Sequence, residues 1–182
     1  MTKTINVLSI WIGNLANYAG GELVGEWIDM TKDIDYIMAV FNEITNGGED
    51  EYFIADYDSE FPGIRIGEYE NIKSVKATAD RLAELSEKFG DDLQDAIEAA
   101  SIMTSSTGEM LDYLENHDFY FFEDCDNMTE VAQQVVEIGG YLDDMPEFAQ
   151  RYFDYEAFGR DLDIEGHFFY VGHSRYVEIS LK

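Results

Sequence analysis

The chain has 182 residues, 46% of them hydrophobic and 14% aromatic, a composition that builds a core and excludes an intrinsically disordered protein. Its 39 acidic and 11 basic side chains leave a net charge of −28, which makes DNA and anionic membranes poor partners and a basic groove a good one. No acidic tail accounts for this: residues 1–60, 61–110 and 111–182 carry −10, −5 and −13.

From the N-terminus, Ile5 to Gly13 alternates as a strand, and Glu22 to Met30 repeats the pattern after Gly20-Gly21. The two predict an antiparallel pair connected through Asn17-Tyr18. Thr31 is the expected N-cap of a helix with the apolar face Ile34, Ile37, Met38, Phe41 and Ile44, stopped by Asn46-Gly47-Gly48. "EYFIADYD" returns as a strand, so the first sixty residues or so read β-β-α-β.

Pro62-Gly63 marks a change of pattern. Asn71 caps a predicted helix with Ile72, Val75, Ala79, Leu82, Leu85 and Phe89 at helical spacing, closed by Gly90. Further helices are expected from about Asp92 to Met103 and from about Ser105 to Glu115. "DFYFFE" reads as a short strand and "NMTEVAQQVVEIGG" as a helix capped by Asn127 and stopped by Gly139-Gly140. Pro146 suits the first turn of a helix running to about Phe158, with Gly159 expected behind it in a left-handed, helix-ending conformation. "HFFYVG" and "RYVEISL" predict a closing hairpin linked by Gly172-His173-Ser174. The fold class is α+β.

Cys125 is the only cysteine, so no intramolecular disulfide can form; it is expected to be a buried small residue, compatible with a reducing compartment. No segment has the length and apolarity of a membrane span, and a soluble, cytoplasmic protein is expected.

Few motifs carry chemistry. Asp161-x-Asp163-x-Glu165-Gly166 imitates the first half of a calcium-binding loop, but the position that must supply a bidentate carboxylate is Gly172. "EDCDNMTE" offers Asp124, Asp126 and Asn127 and reads as the acid-rich start of a helix. His117, His167 and His173 lack zinc spacing, and no G-x-S-x-G elbow accompanies the serines. No catalytic residue, cofactor or metal ligand is assigned. What remains is the charge: duplex DNA has two phosphates per base pair, so 39 carboxylates equal those of about 20 base pairs. Salt adaptation would give the same acidity, but 26 Phe, Tyr and Trp residues argue against it.

Two stretches carry a resemblance. "MPEFAQRYFDYEAFGRDLDIEG" resembles the most characteristic segment of the ArdA-type antirestriction proteins, a proline-led helix followed by D-Y-x-A-[YF]-G-R-D-L-x. "NLANYAGGELVGEWIDM" resembles the family's opening, N-L-x-x-Y followed by G-x-L-x-G-x-W. The resemblance covers nearly the whole chain and is loosest in "SIMTSSTGE". It implies an elongated, homodimeric DNA mimic of three small domains in a row, here 1–61, 62–116 and 117–182. Such a protein is carried on mobile elements and occupies the DNA-binding channel of type I restriction-modification enzymes, both methyltransferase core and specificity subunit. It blocks cleavage, and modification with it. Neither nucleic acid nor membrane is an expected partner.

On this resemblance, Asp154, Glu156, Asp161 and Asp163 stand in for phosphates, together with Asp112, Glu115, Asp118, Glu123, Asp124, Asp126, Glu130, Glu137, Asp143, Asp144 and Glu147. Tyr152, Tyr155, Phe158 and Gly159 are expected to build the local scaffold, and Arg160 to pair with and orient a neighbouring carboxylate. The dimer contact falls in the C-terminal region, around Gly139 to Leu142. A different class, an acidic adaptor or chaperone for another basic DNA-binding protein, is the alternative reading of the composition, and DNA competition for the shared partner separates the two.

Overall fold

A computed structural model describes residues 6–181. Strand β1 (Ser9–Asn14) is the centre of an antiparallel sheet, with β2 (Gly25–Asp29) and β3 (Tyr52–Asp58) on its flanks. The alternation read from the sequence sorts the faces: Ile10, Ile12, Ile28 and Ile54 are buried in the core, while Ser9 and Trp11 face outward between Asp29 and Trp27 on β2 and Asp58 and Asp56 on β3. Ile5 lies outside the described residues. A short helix, α1 (Leu15–Ala19), fills the β1–β2 connection, with the buried Asn14 at its cap. The Asn14 side chain accepts from Asn17 N–H and donates to the Ile44 carbonyl, fastening the turn to the end of the next helix.

Helix α2 (Ile34–Ile44) packs on β1 and β2 with Ile37 and Ile44 buried. It starts from Asp33, not Thr31. Thr31 is instead drawn back to Asp29, whose Oδ1 accepts from both its backbone N–H and its hydroxyl. Gly47 and Gly48, both at positive φ, reverse the chain into β3 as expected. The β-β-α-β order is present, with α1 inserted.

Helix α3 (Ile72–Phe89) follows its predicted bounds: Asn71 accepts from Lys73 N–H, Ile72, Val75, Ala79, Leu82 and Leu85 are buried, and Gly90 ends it at positive φ. Helices α4 (Leu93–Met103) and α5 (Thr107–Asn116, capped by Ser106) follow. One continuous core runs through the first sheet and these helices, from Leu8 to Leu114.

A second antiparallel sheet has the order β4-β6-β5, from β4 (His117–Phe122), β5 (Phe168–Tyr170) and β6 (Tyr176–Leu181). Phe119 and Phe121 pack both on the first core and on the smaller cluster of Ala99, Val171, Val177 and Ile179. Between β4 and β5 lie α6 (Met128–Gly139), α7 (Glu147–Gln150) and α8 (Tyr155–Glu165).

The helix expected from Pro146 to Phe158 is therefore two helices. Asp154 breaks it, because its carboxylate accepts from Ala157 N–H and caps a new start. Gly159 is consequently inside α8 and not at a left-handed end; that conformation belongs to Gly166, at φ 77° and ψ 21°. Gly159 is needed for another reason: a β-carbon there would stand 2.5 Å from the main-chain oxygen of Met128, at the start of α6.

Candidate acidic binding surface

Among the described residues no carboxylate is buried; the only buried polar side chains are Asn14 and Thr45. This follows from charge that has too few cations to pair with in a core, and it puts the whole negative inventory at or near solvent. The candidate carboxylates divide by what their neighbours do.

One group is held by cations. Arg81 on α3 reaches Glu115 through Nε and Asp112 through Nη2, each at 2.6 Å. The Glu115 hydrogen bond, outweighing partial burial, and then that of Asp112 raise the guanidinium above its ordinary range. Asp118, half-buried on β4, stands apart from this group by its burial. Glu123 lies 3.3 Å from Arg175, which also binds Asp92 at 2.6 Å and Asp95. Glu147 pairs with Arg151 one turn along, both well exposed, where such a pair contributes little.

A second group shapes the backbone. The loop before α6 is clamped to the β5–β6 turn: Cys125 N–H donates to the Ser174 carbonyl at 2.7 Å, and the Ser174 hydroxyl donates to Asp126. Asn127 accepts from Thr129 and Glu130 N–H, and the Glu130 carboxylate accepts from Asp126 N–H at 2.6 Å. These bonds cap α6, where the helix dipole favours acids. Asp124 holds φ 55° in this loop. Cys125 is fully buried beneath it, as expected, and burial pushes its thiol pKa up.

The third group has no such use. Glu137, Asp143, Asp144, Glu156, Asp161 and Asp163 are exposed, and none has a lysine, arginine or histidine partner among the described residues. On α8, Glu156 and Asp163 are seven residues apart and share one side, while Asp161 and Glu165 share another four residues apart. The face between these two sides, Tyr155, Phe158, Gly159 and Leu162, packs against α6 or its flanking rings. Phe153 stacks edge-on to Tyr155 at 4.9 Å and Phe158 at 5.7 Å, and Tyr141 meets Phe158 at 6.3 Å.

Two assignments change. Tyr152, expected in this scaffold, is 85% exposed, and Phe153 takes the inward place because the α7–α8 break turns the chain there. Arg160 is exposed and orients no carboxylate among the described residues, since its helical neighbours Glu156 and Asp163 extend into solvent. The calcium-like spacing Asp161, Asp163, Glu165 lies on a helix, where alternate side chains diverge instead of converging on an ion. His117 stacks on Tyr113 at 3.8 Å. No group of three His, Cys, Asp or Glu side chains among the described residues is placed to hold a metal ion.

Sequence reasoning missed Asp92, Asp95 and Arg175. Arg175 stands 83 and 80 residues from its two aspartates, and no local pattern announces a contact of that range. Their network ties the closing hairpin to the start of α4.

Chemically, the α6–α8 surface carries a large excess of exposed negative charge on a scaffold of rings and capped helices. It repels phosphate and attracts lysine and arginine. No helix among the described residues is long and apolar enough to cross a membrane. The profile of the family described as antirestriction protein (ArdA) matches residues 10–178, a span containing every candidate carboxylate above. No curated protein gives a significant match to the chain.

Proposed function

The chain belongs to the ArdA family of antirestriction proteins, and we propose that it acts without catalysis, as a DNA mimic that fills the DNA-binding channel of type I restriction-modification enzymes. The observation that carries this reading is the set of unpaired, exposed carboxylates on α6 to α8, held by helices whose inner faces are locked. A backbone ordered in advance loses little entropy on binding, and a channel built for phosphates gains from its charges the Coulomb and counterion terms that DNA supplies.

The partner in this reading is the methyltransferase core with its specificity subunit, met in the cytoplasm. A homodimer would double the array, and exposed Ile138, Tyr141 and Phe148 beside the acidic surface supply apolar area for that contact. The continuous core from Leu8 to Leu114 would hold the first two of the three units, 1–61 and 62–116, as one arm, with 117–182 beyond it.

Cleavage of unmodified plasmids by a purified type I enzyme tests the proposal. Equal protection of plasmids with different recognition sequences is expected, because a charge mimic reads no bases. Protection confined to one sequence, or persisting after DNA has saturated the channel, contradicts it.

A further inference from the structure

We propose that the outer face of the N-terminal sheet is a guanidinium-binding cleft, in which an arginine side chain of the target lies across Ser9, between the Trp27 indole and the carboxylates of Asp56 and Asp58. The inference deepens the DNA-mimic reading by naming what the protein grips, and it rests on that reading for the origin of the arginine alone.

The register builds the cleft. Trp27, Trp11 and Asp56 stand side by side across the three strands, and Asp29, Ser9 and Asp58 form the adjacent row. Ile54 and Asp56, two residues apart, would share a face in a regular strand. The register shift between Trp11 and Ile12 separates them, so that Ile54 enters the core and Asp56 faces solvent. Bulges re-aim side chains in this way. The outcome is a cleft of about 400 Å³ lined by Asn6, Ser9, Trp27, Asp56, Tyr57 and Asp58. From β2 to β3 it spans two strand spacings, roughly 10 Å.

Its walls are prepared, and no cation of the described residues occupies them. Asp58 Oδ2 accepts from Asn6 Nδ2 at 2.6 Å, and Ser9 Oγ donates to Asn6 Oδ1 at 3.0 Å, which orients that carboxylate. Asp56 Oδ1 accepts from Tyr57 N–H at 2.8 Å. One oxygen on each aspartate remains, and among the described residues no lysine or arginine pairs with either. Trp27 is 47% exposed and has no cation over its ring among these residues. The floor beside it is stiff: the Trp11 ring covers Gly13 and Gly25 so closely that a β-carbon on either would collide with it, and Phe53 meets Trp11 edge-on at 6.2 Å.

An aromatic face opposite two carboxylate oxygens matches arginine better than lysine. Guanidinium is planar, stacks on rings and presents several donors in one plane, whereas an ammonium is a strongly hydrated point charge. The carboxylates exclude a phosphate ligand by repulsion.

The test is a titration of the isotope-labelled full-length protein with tri-arginine amide and, separately, tri-lysine amide, followed by NMR. The Trp27 indole N–H and the Asp56 and Asp58 amides should shift and saturate with the arginine peptide. Tri-lysine should bind roughly two- to fivefold more weakly, the range of one exposed cation–π contact. Asp56→Asn with Asp58→Asn should weaken arginine binding, Trp27→Phe should retain most of it, and Trp27→Ala should bring it down roughly two- to fivefold to the tri-lysine level, with unchanged amide spectra elsewhere as the folding control. Equal affinities for the two peptides, or shifts that spread over the acidic surface and leave Trp27 unmoved, overturn the cleft whatever the protein inhibits. Unchanged restriction inhibition by the folded Trp27→Ala protein overturns its role in target binding. Failure of the wild-type protein to inhibit overturns the antirestriction reading instead.

Discussion

Gly159 lies so close to Met128 that a β-carbon on it would sit 2.5 Å from the Met128 carbonyl oxygen and 2.8 Å from the carbonyl carbon. Both contacts are backbone, so α6 and α8 must separate to admit any side chain. Gly159→Ala should destabilise the protein by about 1–3 kcal/mol, the usual cost of overpacking, and Gly159→Val by more. Urea midpoints followed by circular dichroism measure this. An alanine variant as stable as wild type would show that the two helices do not meet here.

Helix α3 and the α6–α8 contact show what the sequence discloses and what it does not. Asn71 and Gly90 bracket α3 because cap and stop are local signals, and its five buried residues fall at helical spacing. Asp154 with Glu156 two residues on is an equally local start signal, but the aromatic residues recurring from Phe148 to Phe158 on both sides of it read as one helix. Gly159 is legible as a scaffold position and illegible in its reason, since a close approach to Met128 depends on tertiary packing. Asp56 in the N-terminal cleft is legible only as an acid. Its outward aim comes from a register shift against β1, and register between distant strands leaves no mark in the intervening residues.

Arg175 binds Asp92, Asp95 and Glu123, and its Nε is buried without a hydrogen-bond partner. The Asp92 hydrogen bond, against partial burial, and the charges of Asp95 and Asp92 raise its pKa further above neutrality. Arg175→Ala removes the cation from facing carboxylates and should cost about 2 kcal/mol, the scale of hydrogen bonds to charged groups. Adding Asp95→Asn should restore part of it. Thermal unfolding of the single and double variants checks the coupling, which would be absent if the two losses merely add.

Burial pushes the Glu178 carboxyl above its ordinary value; His167 opposes this and Glu165 adds to it. A carboxyl harder to ionise in the fold than in the unfolded chain favours folding while protonated, and that contribution is lost as pH rises from the ordinary value through the raised one. Glu178→Gln should therefore be more stable than wild type at neutral pH. The difference should close as pH falls below about 4. Melting curves across that window decide it, and a variant weaker than wild type at neutral pH would contradict the assignment.

On α8, Asp154, Glu156, Asp161 and Asp163 are expected to act as a field. Each is one exposed charge, and an exposed ion pair is worth roughly 0–1 kcal/mol, so any single change to Asn or Gln should barely alter inhibition. Asparagine at 154 also preserves the cap on Ala157. Neutralising all four should weaken target binding several-fold and flatten its salt dependence while circular dichroism stays unchanged. A single folded variant that abolished inhibition would point to a discrete site.

The central claim is that this surface takes the place of DNA, and competition measures it most directly. Purified type I methyltransferase is loaded with a fluorescent duplex carrying its recognition sequence, and the protein is titrated in at several salt concentrations. The account predicts complete, competitive displacement of the duplex, weakening steeply as the screening length falls from about 10 Å at 0.1 M salt to about 3 Å at 1 M. A ternary complex that retains the duplex, or an affinity flat across that salt range, would contradict it.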